Sequence, residues 1–218
     1  MDLFKIQVAH KALDYLDGHS IIGVGTGSTV NCFIEALATR KHQIDACVAS
    51  SKATEHLLLA HGFSILELQV VDQLDIYFDG ADEVNAQHQM IKGGGGALTR
   101  EKILAFAAKV FVCMVDHSKR VNQLGQFPIA VEVLPMARSV VARALVSLGG
   151  DPIYRQGMVT DNGNIILDTY HLPIDCFEAL EAEINAIPGV LDNGLFIKQR
   201  ADIVLIAGPA GVEVLDER

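Results

Sequence analysis

The chain has 218 residues, half of them hydrophobic, and a formal net charge of −10. That length holds one large domain or two modest ones around a real core. The acidic balance argues against nucleic acid as a general partner, because phosphate backbones reward clustered Lys and Arg, but it leaves room for a local basic pocket that takes a small phosphorylated metabolite.

The first predicted element is a helix over residues 5–16, with Ile6, Ala9, Leu13 and Leu16 as its buried stripe and Gly18 ending it. Lys5 at its start reads as a surface residue. The N-terminal sequence MDLFKIQVAHKAL lacks the basic start and apolar run of a signal peptide. No apolar stretch approaches the roughly 20 residues of a membrane span. Cys32, Cys47, Cys113 and Cys176 stand far apart, with no CxxC pair. They read as buried, reduced thiols of a cytoplasmic protein.

A strand at Ile21–Val24 leads into Gly25, Thr26, Gly27, Ser28 and Thr29, and a helix runs from about Val30 to Thr39. Strand, Gly-rich turn and helix together aim free N–H groups at an anion. Gly23, Gly25 and Ser28 spell GxGxxS, not the GxGxxG of a dinucleotide fold, and Asp45 precedes the second strand where an acidic residue should end it. There is no GK[ST] either. A small phosphate or carboxylate ligand fits better than NAD or ATP.

Strands at residues 46–49 and 64–68 flank a helix at 51–60. A strand at 74–78 opens into DGADEVNAQHQMIKGGGGALTREK, residues 79–102. A helix at 98–109 takes Thr99 as N-cap, carries Glu101 in its first turn and presents Ile103, Leu104, Phe106 and Ala107 as its apolar face. A strand at 110–115 follows. This alternation predicts a mostly parallel sheet. Beyond Gln126 the pattern changes to strand 129–133, helix 136–148, strand 151–155, strand 164–168, helix 176–186 and strand 194–199. That is the βαββαβ, ferredoxin-like order. The apolar run at 202–207 belongs with the first sheet. The expected fold is therefore α/β: a Rossmann-like, mostly parallel sheet domain over residues 1–126 and 200–218, with an inserted α+β ferredoxin-like domain over 127–199.

Asp79, Asp82 and Glu83 lie just past a strand end. Their spacing is not that of an EF-hand, no His pair joins them, and His88 reads as solvent-facing or locally hydrogen-bonded, so no metal is expected. Lys92 precedes Gly93, Gly94, Gly95 and Gly96. A charge ahead of an N–H-rich loop without side chains suits an oxyanion. Glu101 is long enough to reach two adjacent carbons as a base. It equally suits a first-turn glutamate that stabilises its own helix.

DGADE and IKGGGGALTREK, together with IIGVGTGSTV (21–30), VDHSK (115–119) and VEVLPMARS (131–139), resemble ribose-5-phosphate isomerase of the A type, in the family's order and over nearly the whole chain. The resemblance implies cofactor-independent interconversion of D-ribose 5-phosphate and D-ribulose 5-phosphate through an enediolate, in the non-oxidative pentose phosphate pathway. It implies a homodimer, with a tetramer as the alternative; from charge and hydropathy no nucleic-acid or membrane partner is expected. By the same resemblance Glu101 is the base of the C1–C2 proton transfer, Asp79 opens the furanose ring, Asp82 binds and orients, and Lys92 stabilises the oxyanion. Lys5, Ser28, Thr29 and Lys119 hold the phosphate, with Thr26, Gly27 and Gly93 to Gly96 in the substrate-binding set. His117 departs from the small residue of the family's DxSK, and the fourth glycine departs from an alanine. A related sugar-phosphate isomerase or deaminase, a non-catalytic sugar-phosphate sensor, and acyl transfer through Glu101 are the other readings. The complete motif set speaks against the first, and the chain has no basic module to support the second.

Overall fold

The computed structural model describes residues 3–173 and 177–216. The chain divides into two compact units, Met1–Ala81 with Arg100–Arg120 and Arg200–Arg218, and Asp82–Thr99 with Val121–Gln199. No helix among the described residues is long and apolar enough to cross a membrane.

The first unit opens with α1 (Leu3–Ala12), β1 (Ile21–Val24), α2 (Ser28–Leu37), β2 (Ala46–Ala49), α3 (Lys52–Ala60) and β3 (Leu74–Asp79). The second unit begins with β4 (Glu83–Val84) and β5 (Met90–Ile91), and α4 (Leu98–Ala107) carries the chain back to the first unit and to β6 (Ala108–Asp116). The second unit resumes with β7 (Ile129–Val133), α5 (Arg138–Ser147), β8 (Asp151–Tyr154), β9 (Ile165–Tyr170), α6 (Phe177–Asn185), β10 (Val190–Asn193) and β11 (Leu195–Phe196). Then β12 (Ile203–Gly208) and β13 (Gly211–Asp216) close the first.

The first unit's sheet has the order β13-β12-β6-β3-β1-β2. Every pairing is parallel except β12 with β13. In register, Val24 pairs with Phe78, Asp79 with Cys113, and Asp116 with Ala207, so the strands end along one edge. In such sheets the carboxyl ends collect the ligand. Strand residues of one parity, among them Ile22, Ile76, Phe78, Val112 and Leu205, pack with Val8, Leu16 and Phe33 from the α1–α2 side. Phe33 stacks on Phe78 at 4.7 Å. Truncating either ring to Ala would cost about 3–5 kcal/mol.

In the second unit the sheet order is β10-β7-β9-β8, all antiparallel, with helices α5 and α6 in the βαββαβ sequence read above. Val131, Val133 and Leu167 face Val141, Leu145, Leu180 and Ile184 from the helices. The other face is partly polar. There Glu132, fully buried, accepts from the hydroxyls of Thr99 and Thr160 and from the amides of Asn162 and Asn164. A buried carboxylate persists only when so satisfied.

Five local readings are corrected. Residues 64–68 form no strand: Ile65 makes one isolated bridge to Cys47 before a 3-10 turn at Leu68–Val70. The last ferredoxin-like strand is Val190–Asn193, and Leu195–Phe196 pairs instead with β5 in a small three-stranded sheet. Helix α2 starts two residues early, because Gly27 at φ 119° serves as its N-cap. Thr99 lies inside α4 and gives its hydroxyl to Glu132, not to the helix end. The inward face of α4 holds Glu101, Lys102, Leu104 and Ala105, while Ile103 is 49 % and Phe106 77 % exposed. Apolar periodicity orients a helix only when its buried face is apolar. Along residues 5–16 the expected stripe holds: Ala9, Leu13 and Leu16 are buried and Ile6 packs half-buried on the same core, with Val8 and Ala12 buried beside them. Cys32, Cys47 and Cys113 are buried free thiols, and burial pushes Cys47 up to about 12. Cys176 lies outside the described residues.

Candidate active site

Asp79 ends β3 with none of its surface exposed. Its Oδ1 accepts the N–H groups of Thr26 (3.1 Å) and Gly80 (2.7 Å), and its Oδ2 accepts the hydroxyl of Tyr77. Space for this arrangement comes from β1 and the turn after it. A Cβ on Gly25 would overlap Asp79 Cγ and Oδ1, and one on Gly23 would stand 2.8 Å from Tyr77 Cδ2. The glycines of the first motif therefore admit a carboxylate and a phenol as well as shaping a turn.

Thr26 ties that turn down. Its hydroxyl bonds Ser50 (2.7 Å), Ser51 (2.8 Å) and Thr54 (3.2 Å), and Thr54 donates to Gly25 O at 2.6 Å. Ser51 is the N-cap of α3, accepting from Thr54 N. Gly27 caps α2, which places Ser28 and Thr29 in the first helical turn, where backbone N–H groups have no helical acceptor.

Asp116, at the end of β6, accepts the N–H (2.9 Å) and hydroxyl of Ser118 on Oδ1. Burial acts to raise its carboxyl, but the Ser118 hydrogen bonds and the charges of Lys119 and Lys5 outweigh this and hold it below the usual carboxylate range. Two lysines 114 positions apart therefore act on one carboxylate. The His117 ring meets Phe4 edge-on at 5.0 Å, which anchors the start of α1 beside the 3-10 turn His117–Lys119.

Glu101 sits in the first turn of α4, 4 % exposed. Burial, then the charges of Asp79 and Glu101, hold the Tyr77 phenol well above its usual range. Asp79, Tyr77 and Glu101 thus share one buried locality in the first unit.

In the second unit Asp82 accepts Gly94 N at 2.8 Å. Lys92 is buried, with its ammonium 5.5 Å from the Phe196 ring centre. The glycine run is held, not slack. Gly93 (φ 113°) and Gly96 (φ 77°) take left-handed conformations, and Arg155 Nη1 donates to the carbonyls of Gly93 (2.9 Å) and Gly94 (3.2 Å). Added side chains at Gly96 and Gly194 would overlap Met158 and the Lys92 carbonyl. Glu83 accepts the backbone N–H groups of Gly125 and Phe127, a purely structural role. His88 is not solvent-facing: it is buried, at φ 60°, in a turn closed by its own N–H on Asn85 O. Among the described residues no cluster of His, Cys, Asp and Glu could hold a metal ion.

Sequence reasoning missed Tyr77, Ser50, Arg155 and Gly194. Tyr77 was hidden in an apolar strand, though its place two residues before Asp79 put both on one face. Arg155 and Gly194 stand in no motif and gave no signal.

Residues 46–211 match the family model for ribose 5-phosphate isomerase A (phosphoriboisomerase A). A ribose-5-phosphate isomerase A from Legionella pneumophila (strain Philadelphia 1) is 60 % identical over 215 residues, which is 99 % of this chain and 100 % of the relative. The crystal structure of ribose 5 phosphate isomerase A from Neisseria gonorrhoeae superposes with a TM-score of 0.95 at 44 % identity, covering 99 % of this chain and 96 % of that one. The ribose 5-phosphate isomerase A structure from Methanocaldococcus jannaschii gives 0.93 at 40 % identity, covering 98 % of each.

The packing at Gly25 makes a direct prediction. Gly25→Ala forces Asp79 off its three donors, at a cost of about 1–3 kcal/mol. Thermal melting should fall by about 2–4 °C for each kcal/mol lost. An unchanged Tm would mean that Gly25 does not make the room for Asp79.

Proposed function

The chain belongs to the ribose 5-phosphate isomerase A family, and from this we infer that it interconverts D-ribose 5-phosphate and D-ribulose 5-phosphate through an enediolate. The observation that supports this most is a buried carboxylate pair: Glu101 and Asp79, both acting on Tyr77, in the sheet unit that also brings Lys5 and Lys119 together.

That arrangement supports the following steps, with the roles assigned by the family's motifs. The phosphate dianion is held by Lys5 and Lys119 as point charges and by the first turn of α2, where Ser28 and Thr29 offer hydroxyl and N–H donors. Asp79 accepts the proton of the C1 hydroxyl and passes it to the ring oxygen, O4, as the C1–O4 bond breaks. The open aldehyde then loses its C2 proton to Glu101. The electron pair moves onto the C1 oxygen and gives an enediolate. Glu101 returns the proton to C1, the C2 hydroxyl gives up its proton to the C1 oxygen, and the ketone results. Lys92 is assigned to the developing oxyanion and Asp82 to orientation, with Thr26, Gly27 and Gly93 to Gly96 as further substrate contacts, on the motif match alone. Binding energy from the remote phosphate helps hold the sugar against its base.

The cytoplasm suits the buried free thiols of Cys32, Cys47 and Cys113. Self-association suits the exposed apolar side chains in each unit: Ile103 and Phe106 in the first, Met136, Val140, Val146 and Ile153 in the second. Light scattering after size exclusion should return twice the chain mass or four times it. A monomer at micromolar concentration would refute self-association.

A coupled assay across phosphosugars should single out ribose 5-phosphate. Glu101→Gln keeps local shape and polarity but cannot take a carbon-bound proton, so kcat should fall on the order of 10²–10⁴ with Tm barely moved. A loss smaller than about tenfold would move the base role to Asp79.

Lys119→Ala should raise KM for the phosphosugar about tenfold or more at low ionic strength, where a charge contact is least screened. Unchanged KM and kcat would remove Lys119 from the phosphate site.

A further inference from the structure

Tyr77 is the one member of the buried trio with no role in the steps above. Along β3 it precedes Asp79 by two residues, so both side chains leave the same face of the sheet. Its cross-strand neighbours are Gly23 and Phe111. Gly23 leaves the slot that the ring fills, and Phe111 packs against the ring at 4.9 Å. A phenylalanine would fill that slot equally well. The hydroxyl is therefore not explained by packing.

We infer that Tyr77 is a positioning residue for ring opening: its hydroxyl locks the Asp79 carboxylate in the orientation that takes the C1-hydroxyl proton. The argument is geometric. Oδ1 is held by the backbone N–H groups of Thr26 and Gly80, and Oδ2 is held by the hydroxyl of Tyr77. Rotation of the carboxylate breaks both sets at once. The donor is also dependable. Burial, with the Asp79 and Glu101 charges, keeps the phenol protonated across the working pH range, so it always offers its hydrogen. In this assignment Tyr77 acts through Asp79, the acceptor of its hydroxyl.

This inference rests on the reading in which Asp79 opens the ring and Glu101 moves the carbon-bound proton. Those two steps can be measured apart. Ribose 5-phosphate closes to a furanose through O4. Ribulose 5-phosphate cannot close through O5, which carries the phosphate, so its enolisation needs no ring opening. Solvent deuterium incorporation at C1 of ribulose 5-phosphate therefore reports the carbon-bound proton transfer without ring opening, whereas net conversion of ribose 5-phosphate reports both steps.

For Tyr77→Phe, conversion of ribose 5-phosphate should fall about tenfold or more, while deuterium incorporation at C1 stays within about twofold of the parent, since misplacing one group slows only the step it serves. Equal losses in both would assign Tyr77 to Glu101 or to the fold, and overturn the inference. No loss in either would overturn it too. The underlying reading fails separately: in Glu101→Gln retained deuterium incorporation, or in Asp79→Asn an unaltered ratio of conversion to incorporation, would refute the assigned steps without reference to Tyr77. If Tyr77→Phe does not fold, 3-fluorotyrosine at position 77 keeps ring and hydroxyl while strengthening the donor. The conversion-to-incorporation ratio must then change, and an unchanged ratio overturns the inference.

Discussion

One buried carboxylate sets the terms for this site. Asp79 has no exposed surface, and an unpaired anion there would be prohibitively costly. Three donors make it tolerable: two backbone N–H groups and a phenol. Hydrogen bonds to a charged acceptor are among the stronger ones a protein makes. Each donor in turn demands something of another strand or turn. Thr26 N faces Oδ1 only because the β1–α2 turn is pinned to α3 by four hydroxyls. Tyr77 fits only because Gly23 has no side chain. The glycines, the hydroxyl cluster and the phenol form one interlocked set around a single charge.

The second requirement is local positive charge on a chain whose net charge is −10. It is met with few residues. Asp116, at the end of the central strand β6, serves as a counter-charge that draws Lys119 and Lys5 together from distant parts of the sequence. The Phe4–His117 ring contact fixes the helix that carries Lys5. His117 thereby has a packing role, while the N–H and hydroxyl of Ser118 remain on Asp116. The cost is that one of the two lysine charges is partly spent on Asp116 before any ligand arrives.

Much of this was legible in the sequence. The order of strands and helices, the parallel first sheet and the βαββαβ run followed from periodicity and turn residues, because those elements bury apolar faces. The errors fall where polar chemistry occupies the inside. Helix α4 turns Glu101 and Lys102 inward and leaves Phe106 outside, the reverse of what hydrophobic periodicity ranks first. Ser28 and Thr29 were placed in a loop because Gly27, not a serine or threonine, is the N-cap. Tyr77 was read as one more strand residue, since nothing in LDIYF announces that its hydroxyl has a charged partner. Contacts between residues far apart in sequence, such as Arg155 on the glycine loop, have no local pattern to betray them.

The segment at 64–68 that declined to become a strand has a bearing on solubility. An open sheet offers unpaired N–H and C=O groups at its outer strands, an invitation to pair with another molecule's edge. At the β2 side, Cys47 N donates to Ser64 O at 2.9 Å and Leu66 N to Cys47 O at 3.0 Å, after which the chain turns away. Two bonds satisfy the rim, and the departing chain presents no flat template for a third partner. At the opposite rim, β13 exposes Glu213 and Asp216, with Glu213 tied to Arg120 at 2.8 Å. The six-stranded sheet is thus bounded on one side by a segment that makes two bonds and turns away, and on the other by a strand with two exposed carboxylates, both of which disfavour edge-to-edge pairing.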